Sequence, residues 1–255
     1  STGPRGPEQL IEMHTLEGVS ERLKKGTPQS YLKDMVYGGI DGTITTFAIV
    51  SGVVGADLAS GIVVILGLAN LIADGFSMAV SNFLGTRAEQ QFVQMVRTDE
   101  EKEIELIPEG EREEIRQIYA RKGFEGELLE QVVEVITSDK KVWVDTMLQE
   151  EHSLSLEGPD PKRSAWLTFL AFLIAGFVPV TPFIINLLID NGMPNPFLWS
   201  AIATAITFFA IGIFKAKVVS AKKIRSGIET VAIGGMAATM AYGIGWLLRG
   251  VADNI

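Results

Sequence analysis

The chain of 255 residues contains no cysteine and only two histidines, His14 and His152. The absence of cysteine excludes disulfide bonds, thiolate metal sites and thiol catalysis. A ferritin-like di-iron enzyme needs a Glu-x-x-His pair on each of two helices, and neither histidine has that spacing. The sequence also has no nucleophile elbow and no phosphate-binding loop, so it predicts a protein that is not an enzyme.

Positive charge is scarce as well, and the net charge of −9 is unevenly distributed. The stretch 87–157 carries about twice as many acidic as basic residues and accounts for nearly all of the negative balance. Such a surface attracts cations and repels nucleic acid, so no nucleic-acid partner is expected. The apolar residues are gathered elsewhere, into runs that are too long for buried strands.

Five apolar runs have the length that a membrane-spanning helix requires. A hydrocarbon core of about 30 Å needs roughly 20 mostly apolar residues in a helix, because backbone groups in lipid must be satisfied within the segment. The predicted spans are 35–56, 61–84, 165–189, 197–219 and 228–248. Pro179 and Pro182 are expected to kink the third span. The predicted fold class is an all-α membrane protein with a lipid bilayer as its surroundings and a helical insert between the second and third spans.

Basic residues orient the predicted spans. They precede the first span, follow the second, precede the third and join the fourth to the fifth, whereas the loops around Asp57 and at 190–196 carry none. Positively charged loops stay in the cytoplasm, which places the N-terminus inside and Arg249 outside. The predicted domains are an N-terminal cytoplasmic segment (1–34), spans 1 and 2 (35–84), an acidic cytoplasmic helical metal-binding domain that we call the insert (85–160), and spans 3 to 5 (161–255).

Glycine is frequent in the first and fifth predicted spans, for example at Gly42, Gly52, Gly234 and Gly245. Small residues let helix backbones approach closely in lipid, where no hydrophobic effect drives helix association. The pattern fits a helical dimer and close packing within one bundle equally well.

Two aspartates fall inside predicted spans, Asp41 in the first and Asp74 in the second. A carboxylate in lipid is costly and by default marks a functional site that faces a cation, a proton path or water. One helical stripe of the second span offers oxygen ligands and a thioether, from Asn70, Asp74, Ser77, Met78 and Ser81. The stripe predicts a cation route; the alternative is that Asp41 lies near an interface and Met78 is packing. Because protons and divalent cations compete for such carboxylates, exchange of one for the other is expected.

The insert is predicted to begin with an extension of the second span, which ends before Pro108, and to continue with helices at 111–122, 125–138 and 139–151. Residues three or four apart share a helix face, as do Glu100 with Glu103, Glu111 with Glu114, and Met147 with Glu151. Packed helices could bring these carboxylates together around manganese or ferrous iron, with Met147 as a softer contact. Glutamate runs are also typical of solvated helix faces, so spacing alone does not choose the ligands.

The order of several motifs is more specific than any one of them. Asp41-Gly-Thr-Ile-Thr-Thr46 lies in the first span, Gly75-Phe-Ser-Met78 in the second, and Glu157-Gly-Pro-Asp-Pro161 follows the glutamate-rich insert. This arrangement resembles the vacuolar iron transporter family over nearly the whole chain from about Tyr31, as a prokaryotic-type member. The resemblance implies a homodimeric five-span exporter of ferrous iron and related metals such as manganese, driven by proton exchange and without a prosthetic group.

The resemblance also implies which residues bind metal. The transmembrane site corresponds to Asp41 and Met78, to which the sequence pattern adds Asp74 and Asn70. The implied ligands of the insert are Glu100, Glu103, Glu111, Glu114, Met147 and Glu151.

Three positions depart from the family pattern or add to it. Asn70 stands where plant-type members carry a glutamate, and Leu148 stands where a second ligand methionine is expected. His152 is interpreted as an ordinary polar residue near a helix end, with metal ligation as the alternative. A metal sensor and a passive cation channel are the alternative functions. The expected location is a prokaryotic inner membrane, with a vacuolar membrane as the alternative.

Overall fold

The computed structural model describes residues 11–12, 14–25, 30–189, 192–219 and 221–252. Parts of the predicted segment 1–34 and of the loop 190–196 therefore lie outside the described residues. Within them the protein is helical and contains no strand, which confirms the all-α prediction. In chain order the helices are α1 (Leu16–Lys25), α2 (Leu32–Gly55), α3 (Ser60–Leu106), α4 (Pro108–Arg121), α5 (Gly126–Thr137), α6 (Lys140–Glu150), α7 (Pro161–Phe177), α8 (Thr181–Leu188), α9 (Pro196–Val218), α10 (Lys223–Leu247) and α11 (Arg249–Ala252).

Five helical segments in the described part of the chain are long and apolar enough to cross a membrane: Leu32–Gly55, Ser60–Leu106, Pro161–Leu188, Pro196–Val218 and Lys223–Leu247. The second is a continuous helix of 47 residues, so the predicted extension beyond the second span is present. The third changes from α-helix to a 3-10 turn at Val178–Val180, because Pro179 and Pro182 each remove a backbone donor there.

The chain divides into two compact units. One consists of Ser1–Phe83 and Pro161–Ile255, and we call it the membrane unit; the other, Leu84–Asp160, is the insert with one additional residue.

Within the membrane unit, α2 packs against α7 with the two backbones in contact. A Cβ atom on Gly42 would lie 2.9 Å from the Cα of Phe172, which is too close for any side chain. A Cβ on Gly245 of α10 would lie equally close to the carbonyl carbon of Gly52. By contrast, a Cβ on Gly235 would meet no described atom within 4 Å. Several glycines of α2 and α10 thus serve packing within one chain, and others face open space.

The insert has its own hydrophobic core, formed by Ile104, Ile115, Val133, Ile136, Trp143, Val144, Met147 and Leu148. Its helices begin where local chemistry favours them. Pro108 opens α4 rather than only ending the helix before it, because a proline in the first turn needs no backbone donor. Asp139 caps α6 by accepting hydrogen bonds from the backbone N–H groups of Lys141 (2.8 Å) and Val142 (3.1 Å).

Candidate metal sites

A polar seam runs between α2 and α3 in the membrane unit. At one end, the Asn82 side-chain amide donates to Asp34 Oδ1 at 2.8 Å. Further along, the Asn70 amide donates to Thr45 Oγ1 at 3.3 Å. Because the two helices are antiparallel, these hydrogen bonds fix a register in which residues of α2 between 34 and 45 face residues of α3 between 70 and 82.

Asp41 and Asp74 lie in the middle of this seam. Both side chains are half-buried, and their carboxylates are close enough to repel each other. Met78 is half-buried one helical turn beyond Asp74, on the way to Asn82. The predicted residues Asp41, Asp74 and Asn70 are therefore brought together between two helices, with Met78 on the same face of α3.

The seam differs from the predicted stripe in two respects. Ser77 and Ser81, which were assigned to it, are both exposed on the membrane unit. The residue that instead continues the seam is Asn82, which also donates to Thr168 Oγ1 of α7 at 2.6 Å. Asn82 and buried Asp34 were missed, although their spacing from Asp74 and Asp41 is helical.

The insert brings carboxylates together from two consecutive helices. Glu100 and Glu103 lie near the end of α3, Glu111 lies in the first turn of α4, and one carboxylate oxygen of each lies within 4.8 Å of the other two. Glu100 and Glu111 are only 4% and 1% exposed. Their Oε2 atoms have no hydrogen-bond partner among the described residues. Buried, unpaired carboxylate oxygens at this spacing form a donor set that suits a divalent cation.

Two further carboxylates border this group. Glu114 lies one turn after Glu111 on α4, close enough to Glu151, which follows the end of α6, for the two carboxylates to interact. Potential ligand atoms of Glu151, His152 and Glu100 also lie within 4.8 Å of one another. The five glutamates that the sequence singled out therefore surround one region of the insert, with Glu100 and Glu111 buried and the other three exposed.

Proximity of like charges changes the acidity of these groups. Burial, and then the neighbouring glutamates, raise the pKa of Glu111 to about 7. Burial likewise raises the pKa of Glu114, with a contribution from Glu151. A hydrogen bond to Glu100 raises the pKa of His152. A divalent cation would relieve the repulsion between the carboxylates and displace the protons that they hold.

Two predicted features have a different environment from the one expected. Met147 is completely buried in the hydrophobic core of the insert, one turn before Glu151, and Leu148 beside it is buried in the same core. His152 was expected to be an ordinary polar residue. Its Nε2 instead lies 2.7 Å from Glu100 Oε1, because the turn after α6 returns toward the end of α3.

Comparisons with known proteins give matches that cover most of the chain. Residues 32–246 match the VIT family. The chain is 35% identical over 253 residues to the vacuolar iron transporter of Toxoplasma gondii (strain ATCC 50861 / VEG), covering 96% of this chain and 83% of the relative. It is 32% identical over 238 residues to vacuolar iron transporter 1 of Arabidopsis thaliana, with coverages of 92% and 90%. A vacuolar iron transporter of Plasmodium berghei (strain Anka) is 33% identical over 227 residues, with coverages of 87% and 83%.

Proposed function

Because the chain belongs to the VIT family, we propose that it transports ferrous iron and related divalent metals, including manganese, out of the cytosol in exchange for protons. The relatives are named as transporters and not as enzymes, so the prediction that the chain is not an enzyme is confirmed. Iron is the substrate of this transporter family, and no prosthetic group is indicated.

The observation that carries the proposal is the pair of carboxylates of Asp41 and Asp74, which both lie in the polar seam between α2 and α3 inside the membrane unit. Two carboxylates in a lipid environment persist when they bind a cation or protons. Met78 and Asn70 would complete the site with a thioether and an amide oxygen. Metal and protons compete for the same carboxylate oxygens, so binding of one releases the other, and this is the minimum requirement for exchange.

The insert would capture metal before transport. The carboxylates of Glu100, Glu103, Glu111, Glu114 and Glu151 suit hard or borderline divalent ions. Met147, which is buried in the core one turn before Glu151, stays a predicted softer contact. Export follows if the insert lies in the cytosol. The basic residues that flank the membrane helices on the same side as the insert support this orientation.

A second copy of the chain is the proposed partner. Phe92 and Met95 on the insert part of α3 are each 52% exposed, although this part of the helix lies outside the membrane unit. Large apolar side chains in water favour association, so a homodimer that covers α3 is expected. The expected location in a prokaryotic inner membrane stays a prediction, and the names of the relatives favour the alternative, a vacuolar membrane.

Proteoliposomes of the purified protein test the function directly. Uptake of ferrous iron would be measured with and without an acid-inside proton gradient, together with lumenal pH. Exchange predicts uptake that the gradient stimulates, with matching exit of protons. Asp41→Asn should abolish uptake. Asp57→Asn is the matched control, because Asp57 is an exposed acid just beyond the same helix and pairs with Arg249.

The alternative functions give different results in the same assay. Metal flux that is independent of the gradient and moves no protons would indicate a passive channel. Metal binding to the insert without flux under any gradient would indicate a sensor. Glu111→Gln should reduce uptake mainly at low metal concentration, whereas Glu109→Gln, an exposed glutamate in the same helical turn, should not.

A further inference from the structure

The backbone after α6 holds His152 in a defined position. Ser153, which follows it, adopts a left-handed conformation with φ of 54°. The His152 N–H donates to the Met147 carbonyl at 3.3 Å, and the Leu154 N–H donates to the Leu148 carbonyl at 2.8 Å. Leu154 then packs against the core of the insert. The imidazole is therefore positioned by the fold of the insert rather than by a free surface turn.

The imidazole points at the carboxylate group described above. His152 Nε2 lies 2.7 Å from Glu100 Oε1 and 3.7 Å from Glu151 Oε2. Ligand atoms of all three residues lie within 4.8 Å of one another. Glu100 also belongs to a second group, with Glu103 and Glu111. The buried residue Glu100 therefore connects His152 to these two carboxylates.

A separate observation points to a ligand at this group. The Oε2 atoms of Glu100 and Glu111 are buried and lack hydrogen-bond partners among the residues that the structure describes. Burial of an unpaired carboxylate oxygen is unfavourable, and a cation is the partner that satisfies several such oxygens at once.

We propose that His152 is a direct metal ligand of the insert, and that its imidazole nitrogen makes this site prefer borderline divalent ions such as Fe²⁺ and Co²⁺ over the harder Mn²⁺ and Mg²⁺. The inference rests on the proposed capture of metal by the insert. Carboxylates alone suit Mg²⁺, Ca²⁺ and Mn²⁺, whereas imidazole suits iron, nickel, copper and zinc. One nitrogen donor among oxygen donors therefore changes which metal the insert holds.

The rival role for His152 is to orient Glu100 by a hydrogen bond without touching metal. Pulsed electron paramagnetic resonance of bound Mn²⁺ distinguishes the two roles, because it detects a directly coordinated nitrogen. The chain has only one other histidine, His14, so ¹⁵N-histidine labelling in the His14→Gln variant reports on His152 alone. The experiment uses the full chain, purified without a histidine tag, with Asp41→Asn added to exclude the membrane site. Ligation predicts a ¹⁵N coupling that disappears in His152→Gln.

Metal affinities in the same Asp41→Asn background give the second measurement. Even outer-shell partners of metal ligands are worth about 10–100-fold in affinity, so loss of a direct ligand should weaken Co²⁺ binding by at least about tenfold. Mn²⁺ binding should weaken much less, and His14→Gln should change neither. His152 is partly exposed at a helix end, so the fold of the insert is not expected to depend on it.

The outcomes separate this inference from the proposed function. Absence of a ¹⁵N coupling, together with an equal effect of His152→Gln on Co²⁺ and Mn²⁺ binding, would overturn the ligand role of His152. If Glu111→Gln still abolished metal binding, metal capture by the insert would stand. Metal binding that is absent from the unmodified insert, or unaffected by Glu111→Gln, would overturn both.

Discussion

The substitution Glu111→Gln tests the energetics of the insert without metal. The Glu111 side chain is 1% exposed, and burial followed by repulsion from nearby glutamates raises its pKa from 4.5 to about 7. At about 1.4 kcal/mol per pKa unit, the ionised form costs the folded insert about 3 kcal/mol at high pH. Glutamine keeps the shape and removes the charge. We therefore expect Glu111→Gln to raise the free energy of unfolding of the metal-free insert by about 2–3 kcal/mol at pH 8.

The pH dependence of this effect has a defined sign. The folded pKa lies above the unfolded value, so the native insert retains a proton that the unfolded chain releases between pH 4.5 and about pH 7. The contribution of Glu111 to the free energy of unfolding therefore falls as pH rises through this window. Glutamine has no such dependence. At pH 4.5 the difference between the two proteins should shrink below about 0.5 kcal/mol.

Trp143 provides the assay, because it is 4% exposed in the core of the insert and its fluorescence reports urea unfolding there. The tryptophans of the membrane unit, all exposed, would be replaced by phenylalanine: Trp166, Trp199 and Trp246. Glu113→Gln is the matched control. Hydrogen bonds from Gln117 and Arg116 lower the pKa of Glu113, so its replacement should not stabilise the insert at any pH.

Saturating metal should make the unmodified protein more stable than Glu111→Gln. Binding at 1,000 times the dissociation constant adds about 4.1 kcal/mol to the free energy of unfolding of the unmodified protein, which exceeds the advantage of about 2–3 kcal/mol that Glu111→Gln has without metal. Glu111→Gln should gain much less from the same metal concentration. If Glu111→Gln is no more stable than the unmodified protein at pH 8 without metal, or if the difference is the same at pH 4.5, then ionisation of buried Glu111 does not destabilise the insert.

Three further changes test packing, capping and charge. Gly42→Ala should prevent recovery of folded protein in detergent, because α7 backbone would contact the new Cβ, whereas Gly235→Ala should be neutral; equal yields would contradict the packing. Asp139→Ala removes two N-cap hydrogen bonds and should lower the free energy of unfolding of the insert by about 1 kcal/mol in the urea assay, an unchanged value being the contrary result. Arg97→Ala breaks the 2.5 Å ion pair with Asp145 and should lower the free energy of unfolding of the insert by about 1 kcal/mol. The decrease should be smaller in 1 M salt, and a decrease that salt does not change would argue against the ion pair.

Several features of the protein could be predicted from the sequence because they depend on solvent and on neighbours in the chain. Lipid requires each span to satisfy its own backbone, so long apolar runs predict helices wherever they occur. Asp41 and Asp74 were identifiable because a carboxylate in such a run is costly whatever it faces. The extension of α3 into the insert followed from an uninterrupted helical pattern.

The partners of these residues depend on contacts between distant parts of the chain. Glu100 and His152 are 52 positions apart and meet only because α6 ends beside α3, so their 2.7 Å contact has no local signal. The same holds for Asn82, which joins Asp34 to Thr168 across three helices. Helical spacing gives the face of one helix, but the register between two helices is set by their packing.

The sequence alone therefore determined the helical class, the five apolar spans, the acidity of the insert and the presence of carboxylates in the membrane, because backbone satisfaction and charge burial act locally. Tertiary structure decided which glutamates are buried, that Met147 packs in the core and that His152 faces Glu100. These features arise when helices from separate parts of the chain bury a common core, and no short stretch of sequence contains that information.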